Sequence, residues 1–364
     1  MNDSKGESSG VNELTDLVSG DAFREWYKEK EFAENIRNGQ PYFNGPSNIS
    51  PETKHSPSQF LQCHRKIYYR QLNAPEETDN SEGIFWFGSK FETDLVVPFL
   101  QSIVGANQYI RNSMWIDFTI DAESLELRIR GETDPVIVDS ESIPLLLTEV
   151  KSKKSLEYLD EPSNRHLAQT HAYMYGLTEK YDRTLRDALI IYGSRTTLNL
   201  RVFHVEFDPY FWRETVLSWA AAHSQYRVED RLPPATPKQD WECDFCSYQV
   251  RCGKTDGRFA DSSAKGFLPL QNYPRHAVID HIKSYQDEGV KLTPTLAHEY
   301  PELASEYPVF DWQCYSCGTT YEWTALTPDG IPDEPLECPE CQSMGRGPGS
   351  VYSFTESEQS EVLI

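Results

Sequence analysis

The chain lacks both a long apolar run and a start that looks like a leader sequence. No segment approaches the roughly 18 consecutive apolar residues that a membrane-spanning helix needs. The opening residues, MNDSKGESSG, lack the basic and then apolar pattern of a secretory signal. No segment repeats along the sequence. These absences predict a cytoplasmic protein without a membrane partner.

The chain is also poor in positive charge. Its 34 lysines and arginines stand against 57 aspartates and glutamates, which gives a formal net charge of -23. Nucleic-acid binding ordinarily uses a basic face, so this balance by itself argues against such a partner. In a molar-salt cytoplasm, however, the Debye length falls to roughly 3 Å, and diffuse acidity no longer repels DNA from a local site. We therefore hypothesise a halophilic host; an ordinary acidic protein with acidic partners is the alternative.

Length and composition predict one large domain with smaller additions. The 364 residues exceed an average domain, and 38% hydrophobic residues are enough to bury a core. Breaks in the residue pattern divide the chain into five predicted parts: a polar N-terminal extension over 1–50 with an amphipathic stretch at 21–38, a main domain over 51–256, a connector with one helix near 276–286 over 257–310, a small cysteine module over 311–354 and an acidic tail over 355–364.

Helical periodicity occurs in four stretches of the main domain. Ser56, Pro57 and Gln59 form a helix start signal ahead of FLQCHRKIYYRQL, which places Cys63 on that predicted helix. A second helix, predicted over 88–102, has Phe91, Leu95 and Phe99 four residues apart on one face; two more are predicted over 163–176 and 209–228.

Strand periodicity separates these helices. WIDFTIDAE, LELRIRGETDPVIVD and PLLLTEVKS read as successive strands, and ALIIYGS and LRVFHVEFD as two later ones. Alternation of helices and strands in this order predicts an α/β fold.

Two of the predicted strands carry acidic residues that would meet across a hairpin. Asp134 lies in the first strand, and Glu149 and Lys151 lie in the next, on one side because side chains alternate with a period of two. Carboxylate oxygens suit Mg²⁺ or Mn²⁺, and the carbonyl of Val150 offers a third oxygen ligand. A lysine beside such a metal can orient water and offset charge on a scissile phosphate.

This motif is weak by itself, because E-x-K occurs by chance and can be an exposed cross-strand pair. LLLTEVK, however, ends an apolar run typical of a buried central strand, where a glutamate and a lysine are costly without partners. Gln169 and Tyr173 lie four residues apart on the next predicted helix. Their amide and phenol therefore share a face that could position the lysine, a water or a DNA phosphate.

Taken together, five short motifs resemble a known nuclease family. They are GETD ending at Asp134, EVK from Glu149 to Lys151, QTHAY from Gln169 to Tyr173, CHRKIYY from Cys63, and C-x2-C-x5-C from Cys243. In their order along the chain, which begins with the Cys63 motif, they are similar to the PD-(D/E)XK nuclease superfamily, and within it to the RecB-like branch with an iron–sulfur cluster, which includes the CRISPR-associated exonucleases and the AddB nuclease domain. The resemblance covers about residues 56–253.

The resemblance implies a restriction-endonuclease-like core, a central mixed sheet flanked by helices, and metal-dependent phosphodiester hydrolysis. It assigns metal binding to Asp134 and Glu149, catalytic assistance to Lys151, and a supporting role to Gln169 and Tyr173. The family usually has a histidine on the preceding helix, whereas GSKFE places Glu92 there. Glu92 is expected to be a further oxygen ligand that shifts metal preference toward harder ions; a surface glutamate is the alternative.

Eight cysteines in a reducing compartment favour metal ligation over disulfides. Cys243, Cys246 and Cys252 form a trio that lacks a fourth ligand, and Cys63 is the cysteine left to complete it. On spacing alone, four thiolates hold a [4Fe-4S] cluster or a zinc ion equally well. The resemblance implies the cluster, which would close the main domain into one loop. Redox sensing and four reduced, buried cysteines are the alternatives.

The other four cysteines have the spacing of a zinc ribbon. Cys314 and Cys317 form one C-x2-C pair, Cys338 and Cys341 form the second, and twenty residues separate the pairs. Four thiolates leave no open position for water, so this Zn²⁺ is expected to support folding.

The sequence therefore predicts a metal-dependent deoxyribonuclease, an exonuclease rather than an endonuclease, that acts on single-stranded DNA or DNA ends. Repair or CRISPR-adaptation proteins are candidate partners, and the oligomeric state stays open. The alternative is a catalytically silent nucleic-acid-binding or assembly module with the same fold and ribbon.

Overall fold

The computed structural model describes residues 48–78, 82–255, 261, 264–314, 316–328, 336–345 and 349–353, together with Phe23, Trp26, Tyr27, Glu29 and Lys30. Contacts divide the chain into two units, Met1–Pro46 and Ser47–Ile364. The five described residues near the N-terminus are helical, and the rest of the amphipathic stretch predicted over 21–38 lies outside the described residues.

The second unit is built on a mixed sheet of five strands, which confirms the predicted α/β class. In spatial order these are β2 (Gln108–Arg111), β5 (Val136–Asp139), β6 (Pro144–Lys153), β7 (Asp187–Ser194) and β8 (Leu200–Glu206). β6 and β7 run parallel and the other neighbours run antiparallel. β6 is the central strand, so both of its faces are covered, and this accounts for its continuous apolar run.

A second, three-stranded sheet has the order β1 (Lys54–His55), β4 (Leu125–Glu132) and β3 (Trp115–Ala122). The stretch LELRIRGETDPVIVD, predicted as one strand, is therefore two: β4 belongs to this sheet and β5 to the central one. The chain changes sheets at Thr133–Pro135, where the proline nitrogen cannot donate to a ladder. Asp134 consequently lies in a bend between two strands and not within a strand.

The helix start signal at Ser56 produces a short 3₁₀ turn, Pro57–Gln59, with the predicted capping box. The helix does not continue from there, because Leu61 has a φ of 58°. Helix α1 (His64–Gln71) begins three residues later, with Cys63 as its N-cap residue. The prediction that Cys63 lies inside a helix was wrong by this one position.

Helices cover one face of the central sheet with a register that differs from the predicted one. α2 (Glu82–Phe91) and α3 (Val97–Ile103) are joined by one wide π-helical turn, Glu92–Val96. The extra residue in that turn moves Leu95 and Phe99 out to solvent and brings Val96 and Leu100 inward. Val96 and Leu100 then pack with Phe91 against Val150 and Ile191 of the sheet.

The opposite face carries α4 (Asn164–Tyr181) and α5 (Ser218–Val228), the latter preceded by a π-helical segment, Phe211–Leu217. Ser163 caps α4 by accepting a hydrogen bond from the backbone N–H of His166. The main apolar core lies between these helices and both sheets. Gly176 lets α4 approach β3, since a Cβ there would lie 2.8 Å from the Phe118 ring and 3.0 Å from Ile116.

The segment predicted as a connector contains three helices: α6 (Arg275–Ser284), α7 (Pro294–Glu299) and α8 (Pro301–Ala304). They enclose an apolar cluster of their own that includes Phe267, Val278 and Leu296. Beyond them, β9 (Trp312–Cys314), β10 (Thr320–Tyr321), β11 (Leu336–Glu337) and β12 (Ser350–Ser353) form an antiparallel sheet beside α9 (Pro339–Ser343). In the part of the chain that the structure describes, no helix is long and apolar enough to cross a bilayer.

Candidate metal and active site

The β5–β6 hairpin brings together the three residues predicted to carry the chemistry. Val136 pairs with Leu147, so Asp134 and Glu149 face one another where this register continues. The backbone N–H of Val150 donates to Asp134 Oδ2 at 2.7 Å, which fixes the bend. Lys151 Nζ contacts Glu149 Oε1 directly and lies 3.8 Å from Asp134 Oδ2. The two carboxylates and the ammonium thus form one cluster.

Glu149 is the most deeply buried member of this cluster. Its side chain is 0% exposed, and its Oε2 atom has no hydrogen-bond partner among the residues that the structure describes. Burial first, and then the Asp134 charge, raise the pKa of Glu149 to about 8, whereas the Lys151 charge acts to lower it. Burial alone would lower the pKa of Lys151, but the charges of Glu149 and Asp134 outweigh it and raise that pKa.

Glu92 approaches the same cluster from the helical layer. It opens the π-helical turn, and π-helical turns often occur at functional sites. Burial and then the Asp134 charge raise the pKa of Glu92 to about 7, and Glu92 in turn raises the pKa of Glu149. When all three carboxyls are ionised, Lys151 offsets only one of their negative charges. Their oxygens are not among the described groups whose ligand atoms all lie within 4.8 Å of one another. A divalent cation, which prefers oxygen ligands, would have to draw Glu92 closer to the two strand carboxylates and would favour their ionised forms.

The carbonyl of Val150 points toward Asp134. In a strand, the N–H and C=O groups of one residue point to the same side, and the N–H of Val150 is directed at the Asp134 carboxylate. β5 begins only at Val136, so Val150 lies beyond the end of that neighbour. Its carbonyl therefore faces the carboxylates and not a strand partner.

Gln169 and Tyr173 lie on the face of α4 turned toward Glu149. Gln169 Nε2 donates to the Tyr173 hydroxyl at 3.3 Å, and both side chains are buried. Burial and the neighbouring Glu149 charge raise the pKa of Tyr173, so its hydroxyl keeps its proton and can donate to an oxygen in the site.

Two residues absent from the sequence-based prediction also approach Lys151. Tyr192 is its register partner on β7, and His166 has its Nδ1 atom 2.6 Å from the Tyr192 hydroxyl. The polar Tyr192 within the apolar ALIIYGS run was the available signal.

Cys63, Cys243, Cys246 and Cys252 line one cavity of about 150 Å³. Among the described residues, no three of these thiols have Sγ atoms that all lie within 4.8 Å of one another. A zinc ion with Zn–S bonds of about 2.3 Å holds its thiolates about 3.8 Å apart. A four-iron cluster is larger and separates its thiolates more widely.

The C-terminal cysteines are already in single-ion geometry. Cys314, Cys317, Cys338 and Cys341 form a group that could hold a metal ion, with Sγ atoms 3.7 Å apart in the Cys314–Cys341 and Cys317–Cys338 pairs. Gly318, at φ 76°, makes the turn after the first pair. Trp312 is fully buried and donates its indole N–H to the Trp323 carbonyl, so it forms part of the interior of this module.

A further metal-capable group lies on the outer strands, away from the residues that the sequence motifs singled out. Asp187 on β7 and His204 and Glu206 on β8 place their ligand atoms within 4.8 Å of one another. His204 Nε2 lies 2.7 Å from Asp187 Oδ1. All three side chains are exposed, and they lie outside the carboxylate cluster.

Comparisons with known proteins identify no family. No family model matches the chain, and no curated protein matches it. A crystal structure of SSO0001 aligns with a TM-score of 0.41 and 14% identity over 64% of this chain and 97% of that one. A crystal structure of Scheffersomyces stipitis Rai1 aligns with a TM-score of 0.23 and 14% identity over 45% of this chain and 47% of that one. Similarities at these values establish neither a family nor an activity.

Proposed function

We propose that the protein is a metal-dependent deoxyribonuclease of the PD-(D/E)XK type. The observation that carries this proposal is the cluster of Glu92, Asp134, Glu149 and Lys151, in which a fully buried glutamate has an oxygen without a hydrogen-bond partner among the described residues. Such a group is costly unless a cation completes it. A single Lys151 pairs with both Asp134 and Glu149, so this cluster has an excess of acidic groups that a cation would stabilise.

A divalent Mg²⁺ or Mn²⁺ ion held by Glu92, Asp134, Glu149 and the Val150 carbonyl would supply Lewis-acid charge and a water of lowered pKa. The residues around it have separate roles. The Val150 N–H holds Asp134 in place. Lys151 keeps its positive charge and offers three N–H donors to a water or a phosphate oxygen. Gln169 positions the Tyr173 hydroxyl, which can donate to the substrate.

The test is digestion of labelled single-stranded and double-stranded DNA in Mn²⁺ by the wild type, by Lys151→Ala and by Glu149→Gln. Lys283→Ala is the matched control, because Lys283 is an exposed lysine of α6. We expect both cluster variants to lose at least about a hundredfold in rate, the scale on which removing one charge-stabilising group acts. The control should digest DNA as the wild type does.

Equal digestion by the wild type and Lys151→Ala would remove Lys151 from the mechanism. No digestion by any of the proteins, with DNA binding retained, would favour the silent binding module. Cleavage confined to free ends would identify an exonuclease, and cleavage of a circular single strand would identify an endonuclease.

The two cysteine quartets are proposed to hold different metals. We assign a [4Fe-4S] cluster to the Cys63 quartet, supported by its wide spacing, and Zn²⁺ to the Cys314 quartet, supported by its tetrahedral spacing. Iron and zinc content after anaerobic purification tests both assignments. Cys63→Ser should lose iron and keep zinc, and Cys338→Ser should lose zinc and keep iron. Zinc in both quartets would overturn the cluster.

A further inference from the structure

Several cations lie between the carboxylate cluster and the cavity at Cys63. β6 continues from Lys151 to Lys153, which faces the same side because of the two-residue period. Arg165, at the start of α4, acts on both Lys153 and Lys238. Burial and then the Arg165 charge lower the pKa of Lys153. Burial lowers the pKa of Lys238, the Glu242 charge opposes this, and the Arg165 charge adds to it. Arg165 also lines the cavity together with Lys66. Arg165 thus connects the cavity, which it lines with Lys66, to Lys153 and Lys238, which are near enough to feel its charge.

These cations are not used in salt bridges. Among the residues that the structure describes, Lys66, Lys153, Arg165 and Lys238 have no carboxylate oxygen within 4.0 Å. Glu242 is the one acidic residue among the described residues that line the cavity. The chain has 57 acidic and 34 basic residues, so a basic side chain is expected to have an acidic neighbour. A group of basic side chains without salt bridges is therefore unexpected. Such a group attracts a polyanion.

Two exposed aromatic rings stand at the mouth of the same cavity. Trp241 is 56% exposed and Phe245 is 80% exposed, and both line the cavity beside Cys243 and Cys246. Exposed large aromatic rings next to unpaired cations are the combination that binds single-stranded nucleic acid, since the cations hold phosphates and each ring stacks on a base. A duplex offers no unpaired base face for such stacking.

We propose that Lys66, Lys153, Arg165, Lys238, Trp241 and Phe245 form a strand track that binds single-stranded DNA between the cavity at Cys63 and the carboxylate cluster. This inference rests on the proposed nuclease function, because the strand bound in the track is the substrate. Phosphates lie on Lys153, Arg165 and Lys238, bases stack on Trp241 and Phe245, and the strand enters the active site past Lys153. Arg65 is not part of the track, because its guanidinium holds the backbone carbonyls of Pro233 and Cys252.

The test measures binding without cleavage. The full-length, iron-loaded protein is titrated against a fluorescent oligo-dT of about 16 nucleotides, against oligo-U and against a duplex, with no added Mg²⁺ or Mn²⁺ and over a range of KCl. The variants are Lys153→Ala, Arg165→Ala and Trp241→Ala. Arg186→Ala is the control, because Arg186 is an exposed arginine that precedes β7 at the opposite end of the parallel β6–β7 pair from Lys153, roughly 25 Å away along the strands. It changes the net charge by the same amount as the track variants.

We expect Lys153→Ala and Arg165→Ala to weaken oligo-dT binding and to lower the slope of log K against log salt by about 0.7 each, the value for one phosphate contact on a single strand. Trp241→Ala should weaken binding by roughly fivefold or more without changing the slope. Arg186→Ala should match the wild type in both. The duplex should bind more weakly than the single strand; tighter binding of oligo-U than of oligo-dT would overturn the assignment to DNA.

The strand track is wrong if Lys153→Ala and Arg165→Ala bind with the affinity and slope of Arg186→Ala. Iron content is measured for each variant. If Trp241→Ala loses iron, Lys153→Ala still tests the track, because Lys153 lies on β6 and not beside the cysteines. A protein that binds through the track but never cuts would overturn the nuclease alone. A protein that cuts DNA while every variant binds equally would overturn the track alone.

Discussion

At the scale of single residues, burial and charge oppose one another at Glu149. A fully buried carboxyl without compensation takes up a proton, and its raised pKa reflects this. Lys151 supplies one positive charge, whereas Glu92 and Asp134 add further negative charge from two directions. This arrangement is unfavourable for folding alone, and a bound divalent cation, as proposed above, would reverse it. The cluster is thus better explained by a function than by stability.

The identity of Glu92 leads to a prediction about metal preference. Glu92→His would replace a hard carboxylate oxygen by a softer imidazole nitrogen. We expect digestion supported by Mg²⁺ to fall by roughly tenfold or more relative to that supported by Mn²⁺, the scale on which changes around a metal site act. The measurement is the ratio of the two rates. Asp94→His, an exposed change in the same helical turn, is the control, and an unchanged ratio in Glu92→His would mean that Glu92 is not a ligand.

The buried histidine His223 leads to a prediction about pH. Burial, followed by the charges of His55, His64 and Arg227, lowers the pKa of His223 from 6.5 to about 2. Below about pH 6.5 the unfolded chain therefore binds a proton that the folded chain does not. Stability should fall as the pH falls through this window, by about 1.4 kcal/mol per pH unit for this one group.

His223→Gln isolates that contribution. Glutamine can still donate to Gln71, which lies 3.1 Å from His223 Nε2, but it does not titrate. The free energy of unfolding in urea, measured between about pH 4 and pH 6, should depend on pH less steeply in the variant, by about one proton. An equal slope in the two proteins would show that His223 is charged in the folded state.

At the scale of elements, the sequence predicted types and order better than registers. The hairpin that joins Asp134 to Glu149 and the face shared by Gln169 and Tyr173 follow from strand and helix periods, which are local properties. The π-helical turn at Glu92 does not, because nothing in that stretch signals an extra residue, and the buried positions shift from Leu95 and Phe99 to their neighbours.

The other differences have the same origin in long-range contacts. The break at Leu61 and the passage of Asp134 from one sheet to another depend on partners far along the chain. The path from Lys153 to Lys66 has no sequence period at all, since it joins residues from a strand, two helices and a loop. The cysteine spacings, in contrast, were readable because ligand geometry restricts them directly.

Close packing between α2 and β7 leads to a prediction at this scale. A Cβ at Gly193 would overlap the Phe91 ring, so Gly193→Ala forces apart two layers that hold Glu92 over the site. We expect it to destabilise the protein by about 1–3 kcal/mol, as overpacking does, measured as the urea midpoint of unfolding.

Two variants distinguish this clash from a general effect of alanine. Gly105→Ala is the control, because its Cβ would meet only Gln108 Oε1 at an ordinary 3.6 Å. The double variant Gly193→Ala with Phe91→Leu should recover part of the lost stability, since the smaller side chain makes room. If Gly193→Ala is as stable as Gly105→Ala, then α2 and β7 are not packed closely enough at Gly193 for the added methyl group to clash.

At the scale of the whole molecule, the C-terminal helices are attached to the main core through the end of α1. His281 and Ser284 contact Asn73, and Tyr285 donates its hydroxyl proton to the Leu72 carbonyl. His298 of α7 lies 3.1 Å from the carbonyls of Trp323 and Leu326, which attaches the cysteine module. The buried Arg251–Asp261 ion pair links the end of the cysteine trio to the segment that precedes α6.

The excess of acid leads to a prediction for the whole chain. At low salt, the net charge of -23 repels itself most strongly in the compact state, and raising KCl from about 0.1 M to 1 M shortens the Debye length from about 10 Å to 3 Å. We expect the thermal midpoint to rise with KCl by several degrees, since about 1 kcal/mol corresponds to roughly 2–4 °C in a chain of 150–250 residues. Sucrose, which does not screen charge, serves as the control: the rise in KCl should exceed the rise in sucrose at equal osmolality. A midpoint that is highest at low salt would contradict the halophilic hypothesis. DNA binding would then have to overcome unscreened repulsion and would depend more strongly on the cations of the strand track.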